Sequence, residues 1–185
     1  MVKLNKIYTR TGDGGSAGLV DGSRVSKASP RMAAIGDIDE ANAAIGCAIS
    51  ALEMGPLRDR LIVIQNDMFD LGADVATPDG VDGALRIVAS QVERLESEID
   101  AMIADLPPLT SFILPSGPAA VAALHLARAV TRRAERSAVA LHESEPVGSP
   151  ALAYLNRLSD FLFVAARHVA AQNGGDVLWK PGASR

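Results

Sequence analysis

The chain has 185 residues, enough for one domain with a sizeable core, and 48% of them are hydrophobic. A formal net charge of -4 argues against a general nucleic-acid binder, and no apolar run is long enough to span a membrane. Aromatics at 4% beside abundant alanine favour close-packed helices over strands.

Residues 1–29 are rich in Gly, Ser, Thr and charge and carry no sustained hydrophobic period, so they are expected to be irregular. Their opening, Met1-Val2-Lys3-Leu4-Asn5-Lys6, lacks a secretory apolar core, which points to a cytoplasmic protein. Within residues 8–18, glycines allow backbone N–H groups to approach an anion, while Thr9, Thr11 and Ser16 add hydroxyls and Arg10 adds charge. The same glycines also suit a plain flexible turn. Gly12-x-Gly14-x-x-Ala17 imitates a dinucleotide fingerprint, but no buried strand precedes it and no helix opens on it. Arg24, Lys27 and Arg31 either extend positive potential over this region or are solvated surface charges.

Five helical segments are expected to follow. The first covers about residues 30–52, capped by Ser29 with Pro30 at its first position. Cys47, the only cysteine, falls in its apolar pattern and is expected in the core. The second starts at Pro56 and repeats Leu57, Leu61, Ile64, Met68, Leu71 and Val75, the spacing of a bundle seam. The third covers about residues 87–106, and its Glu93, Arg94, Glu96, Glu98 and Asp100 read as a solvated face. The fourth runs from near Pro118 to about His142. The fifth begins at a second cap pair, Ser149-Pro150, and ends near Gln172, before a loop-like tail over residues 173–185. Short connections favour antiparallel neighbours. The whole reads as a single all-α domain, a five-helix bundle of a four-helix up-down core plus one helix, behind an irregular N-terminal segment.

The fourth helix sets Arg128, Arg132 and Arg136 on one face at i, i+4 and i+8, beside Arg133 and Glu135. Like charges at this spacing repel, so the stripe needs anions. Guanidinium forks suit the oxygens of a polyphosphate. Asp39, Glu40 and Asp160 are the alternative, as partners on other helices. The fifth helix places Asn156 and Ser159 on a face continued by Phe163 and Arg167, which implies either a structural network or a ligand. A metal-oxidising bundle would need Glu-x-x-His pairs, yet His125, His142 and His168 are preceded at that spacing by Ala122, Val139 and Ala165.

These runs together resemble the cob(I)alamin adenosyltransferases of the propanediol-utilisation type, which attach the adenosyl group of ATP to the cobalt of vitamin B12. The matching runs are Ile7-Tyr8-Thr9-Arg10-Thr11-Gly12-Asp13-Gly14-Gly15, Gly36-Asp37-Ile38-Asp39-Glu40-Ala41-Asn42 and Gln65-Asn66-Asp67-Met68-Phe69-Asp70-Leu71-Gly72. Phe112-Ile113-Leu114-Pro115, the stretch 124–136 and Tyr154-Leu155-Asn156-Arg157-Leu158-Ser159-Asp160 complete the ordered set. The resemblance implies a homotrimer with active sites between subunits. It assigns ATP contacts to Thr9, Arg10, Thr11, Gly12, Ala17, Gly18, Lys27, Arg132, Arg133, Glu135, Arg136 and Asn156. Arg132 and Phe112 become catalytic candidates, and Phe112, Phe163, Asp39 and Arg128 cobalamin-side candidates, with Asp39 pairing to Arg128 of a neighbouring subunit. Mg²⁺ would arrive on the ATP phosphates, near Asn156, without a direct protein cage. A cobalamin reductase or flavin would supply electrons, and an adenosylcobalamin-dependent enzyme would accept the product. A non-catalytic ATP or cobalamin sensor or carrier is the alternative. Ser16-Ala17 departs from a commonly hydroxyl-bearing pair, and Ser116 from a common glycine.

Overall fold

The computed structural model describes residues 7–185. The reading of residues 1–6, including their lack of a secretory core, lies outside them. Five helices follow a short hairpin: α1 Pro30–Ala51, α2 Pro56–Val75, α3 Ala89–Ile103, α4 Ala119–His142 and α5 Ser149–Ala171. Proline lacks the amide hydrogen that a first helical turn leaves unpaired, and α1, α2 and α5 each carry one there. The Ser29 side chain caps α1 by accepting from Met32 N, as its sequence position predicts. At α5 the cap is Gly148, and Ser149 is already helical.

Apolar side chains from all five helices meet in one core, including Ile38, Leu61, Leu95, Leu124 and Phe161, each at most 1% exposed. Full burial of a side chain of this size stabilises by roughly 1.5–3 kcal/mol. Helix α1 lies between α2 and α4, and α5 lies between α4 and α3. The antiparallel pairing expected of short connections therefore holds for α1 with α2 and for α4 with α5. Helix α3 packs chiefly on α5, so the 104–118 connection leaves one side of the bundle to reach α4.

Cys47 is exposed, contrary to the expectation of a core residue. Helix α1 buries the stripe Ala34, Ile38, Ala41, Ile45, Ala48, and Cys47 sits off it. The polar residues of α3 are also more engaged than a solvated face. Arg94 pairs with buried Asp67, and Glu96 accepts from Arg157 Nε at 3.0 Å. Asp67 further accepts from Tyr154 Oη at 2.8 Å and from Gln91 Nε2 at 3.0 Å, joining α2, α3 and α5 through one carboxylate. Helix α3 starts two residues later than periodicity suggests: Val88 is its extended N-cap, and Ile87 N, ahead of it, donates to the Asp74 carboxylate at 2.8 Å.

Residues 16–26 are more regular than expected. Strands β1 Ser16–Gly18 and β2 Arg24–Ser26 pair antiparallel with Ala17 opposite Val25. Val20 N donates to Ala76 O at 3.3 Å, fastening the hairpin to the end of α2.

Candidate functional site

Arg24 holds the glycine-rich segment in shape. Its Nη2 donates to the Thr11 carbonyl and to Ser16 Oγ, both at 2.8 Å. The Thr9 and Thr11 hydroxyls are 2.8 Å apart. Lys27 N donates to Gly15 O at 2.9 Å, and a Cβ at Gly12 would stand 3.2 Å from Lys27 Nζ. The bare glycine thus leaves room for an ammonium against the turn. Arg10 adopts a left-handed φ of 63°, uncommon without glycine, and its guanidinium carbon lies 5.8 Å from the Tyr8 ring centroid. Lys27, Arg10 and the hydroxyls therefore surround one exposed turn, a composition suited to an anion.

On α4, Arg132 and Arg136 are exposed, and neither they nor Arg128 form an ion pair among the described residues. The acids proposed as alternative partners are used elsewhere or stand apart. Glu40 pairs with Arg133, Asp160 accepts from Arg157 at 2.8 Å, and exposed Asp39 has no ion pair. Burial first, and then the charge of Arg132, push the Arg128 guanidinium below its ordinary pKa. The stripe is thus a strip of repelling charge with no carboxylate ion pair among the described residues. Arg128 also lies over the Phe163 ring, 6.0 Å from its centroid. Across the groove from α4, Asn156 Nδ2 donates to Glu135 Oε1 at 2.8 Å.

Phe112 stands in the connection between α3 and α4 and is 77% exposed. Phe163 lines a cleft of about 700 Å3 that also takes in Pro107, Pro108 and Leu109 at the start of that connection. A hollow of about 770 Å3 near the α1–α2 turn contains none of the predicted site residues. No hydrogen bond or ion pair among the described residues joins residues 9–18 to α4.

Residues 7–169 match the family model described as cobalamin adenosyltransferase. The chain belongs to the cobalamin adenosyltransferase family. It is 50% identical over 190 residues to a corrinoid adenosyltransferase of Mycobacterium tuberculosis, covering 100% of this chain and 97% of the relative. It is 46% identical over 178 residues to a corrinoid adenosyltransferase of Bacillus subtilis, covering 93% and 91% respectively. A solved structure, a phenylalanine-to-alanine variant of a PduO-type ATP:corrinoid adenosyltransferase from Lactobacillus reuteri complexed with cobalamin and ATP, superposes with a TM-score of 0.88. It is 36% identical, over 95% of this chain and 99% of that one.

In this adenosyltransferase the predicted residues other than Asp39, on α1, and Arg133 fall into three groups. Thr9, Arg10, Thr11, Gly12, Ala17, Gly18 and Lys27 share the hairpin region, Ala17 and Gly18 lying in β1 itself. Arg128, Arg132, Arg136, Glu135, Asn156 and Phe163 share the α4–α5 face. Phe112 stands on its own loop. Arg133 is turned toward α1, 3.5 Å from Asp37 and paired with Glu40, so a phosphate would have to compete for it. Ser159 donates to the Asn156 carbonyl at 2.8 Å rather than facing outward. Among the described residues no group of three or more His, Cys, Asp or Glu could hold a metal ion, and no helix is long and apolar enough to cross a membrane.

Sequence reasoning missed His125. It is 2% exposed, both ring nitrogens lack a hydrogen-bond partner, and its ring meets Phe163 edge-on at 6.4 Å. Burial, and then Arg128, push its pKa down, against Asp176. Its i, i+3 spacing to Arg128 was visible, but depth was not.

Proposed function

We propose that this adenosyltransferase moves the 5′-deoxyadenosyl group of ATP to the cobalt of cob(I)alamin, forming adenosylcobalamin and releasing triphosphate. The observation that carries the reading is the uncompensated stripe of Arg128, Arg132 and Arg136 on a chain of this family. Cobalt's electron pair forms the cobalt–carbon bond as the C5′–oxygen bond breaks, and the displaced electrons reside on the triphosphate. No proton transfer is needed at the carbon. The protein's work is alignment and stabilisation of the growing negative charge.

Arg132 and Arg136 are the cations for that charge, with Lys27, Arg10 and the Thr9, Thr11 and Gly12 turn gripping the phosphates. Because no hydrogen bond or ion pair among the described residues joins the turn to the stripe, the site is completed by the turn of a neighbouring subunit in a homotrimer. Ala17 and Gly18 would offer β1 backbone, while Arg133, Glu135 and Asn156 border the nucleotide. Exposed Asn156 beside the half-buried Glu135 carboxylate, with no metal-holding group of three or more His, Cys, Asp or Glu among the described residues, suits a Mg²⁺ that arrives on ATP and keeps its waters. That ion supplies charge neutralisation along the phosphate chain. Phe112 and Phe163 face the corrin, and the Phe112 ring excludes water and the cofactor's own base from the lower cobalt face, which eases reduction. Asp39 and Arg128, both without an ion pair among the described residues, meet across the subunit boundary. Electrons come from a reductase or flavin, the product passes to an adenosylcobalamin-dependent enzyme, and the setting is the cytoplasm.

Anaerobic incubation with ATP, cob(II)alamin and a reductant tests this by absorbance. Conversion to the adenosylcobalamin spectrum is expected. Binding of both ligands without conversion would favour a sensor or carrier.

A further inference from the structure

An exposed phenyl ring on a loop gains by folding onto apolar surface unless its backbone is held. Phe112 is 77% exposed, so something must hold it. The C-terminal residues 176–180, which sequence reading leaves as loop, supply the restraint. Ile113 pairs with Leu178 in an antiparallel bridge. Leu114 N donates to Val177 O and Trp179 N donates to Phe112 O, both at 2.8 Å. Ser111 Oγ donates to Trp179 O at 2.9 Å. The Trp179 ring meets the Phe112 ring edge-on, with centroids 6.0 Å apart.

Both partners are anchored to α5 by one side chain. Arg167, 7% exposed, donates from Nε to the Asp176 carboxylate at 2.9 Å and from Nη2 to the Pro107 carbonyl at 2.8 Å. The first contact fixes the start of the C-terminal strap and the second fixes the start of the Phe112 loop. A buried guanidinium bridging two backbone segments is costly to leave half-paired, so the two segments are held as one unit.

We propose that this strap is a positioning element of the active site, in which Trp179 sets the attitude of the Phe112 ring toward the corrin. The proposal rests on the reading of Phe112 as the wall below cobalt. Trp179 acts through Phe112, and an aromatic pair of this geometry is worth roughly 0.5–1.5 kcal/mol beyond its area. Misplacing the ring should affect the lower coordination of cob(II)alamin and slow its reduction, leaving ATP affinity alone.

The test compares Trp179→Ala, Trp179→Phe and Phe112→Ala as full-length proteins with ATP, cob(II)alamin and a reductant for turnover, and with ATP and cob(II)alamin alone for spectroscopy. Trp179→Ala should lower kcat roughly two- to tenfold, the range that loss of an aromatic pair spans, with the KM for ATP unchanged. The electron paramagnetic resonance spectrum of its ATP-bound cob(II)alamin should show a smaller fraction lacking a lower axial ligand. Trp179→Phe, which keeps a ring edge, should restore both. If Trp179→Ala does not fold, Trp179→Leu takes its place, keeping apolar volume without the ring. Wild-type kcat and spectrum in the folded Ala or Leu variant, alongside an impaired Phe112→Ala, would overturn the strap's role alone. A silent Phe112→Ala would overturn the reading of Phe112 on which it rests.

Discussion

Arg132 carries the clearest burden among single residues, since it is exposed, charged and without an ion-pair partner among the described residues. Arg132→Ala should lower kcat by removing a charge-assisted contact worth roughly 1.5–3 kcal/mol, or about ten- to a hundredfold. Steady-state kinetics on the folded variant checks this, and unchanged kinetics would return Arg132 to a structural role. His125 gives a pH prediction. Burial holds its folded pKa below the ordinary 6.5, so the unfolded chain binds the proton more readily. Stability from this residue is fully present above pH 6.5 and is lost as pH falls toward the depressed folded value. Urea unfolding of His125→Gln should therefore fall off less between neutral and mildly acidic pH than the parent. An identical pH slope in both proteins would contradict the assignment. The arginine stripe was legible because helical spacing is local. The burial of His125 was not, because it depends on which α5 residue covers it.

At the scale of elements, Asp67 ties α2 to α3 and α5 through Arg94, Gln91 and Tyr154. Asp67→Ala would leave Tyr154 Oη buried without its acceptor and should cost about 2–4 kcal/mol, after discounting the partly exposed Arg94. Denaturant titration measures it, and a loss under half a kilocalorie would show that the network adds little. Helix limits were legible where proline begins a helix and an apolar seam continues it, as in α1 and α2. Cys47 was misplaced because alanine-rich α1 has little apolar contrast around its circumference. The β1–β2 hairpin escaped notice because three-residue strands are too short for alternation to register. The pairing of Ile113 with Leu178 joins segments far apart in sequence, which no local pattern encodes.

At the scale of the molecule, no hydrogen bond or ion pair among the described residues joins the glycine-rich turn to the arginine stripe, and Asp39 and Arg128 have no ion pair among them. Both facts fit a site finished by a neighbouring subunit. Asp39→Asn should weaken the proposed subunit assembly or cobalamin affinity, as read by sedimentation velocity and by corrinoid titration. Normal values in both would remove Asp39 from the interface. The central claim is that attack at C5′ expels the phosphate chain whole while cobalt takes the adenosyl group. Phosphorus NMR of a completed anaerobic turnover tests it most directly. One intact triphosphate per adenosylcobalamin formed is the predicted result, and ADP with free phosphate, or unaltered ATP beside bound corrinoid, would contradict it.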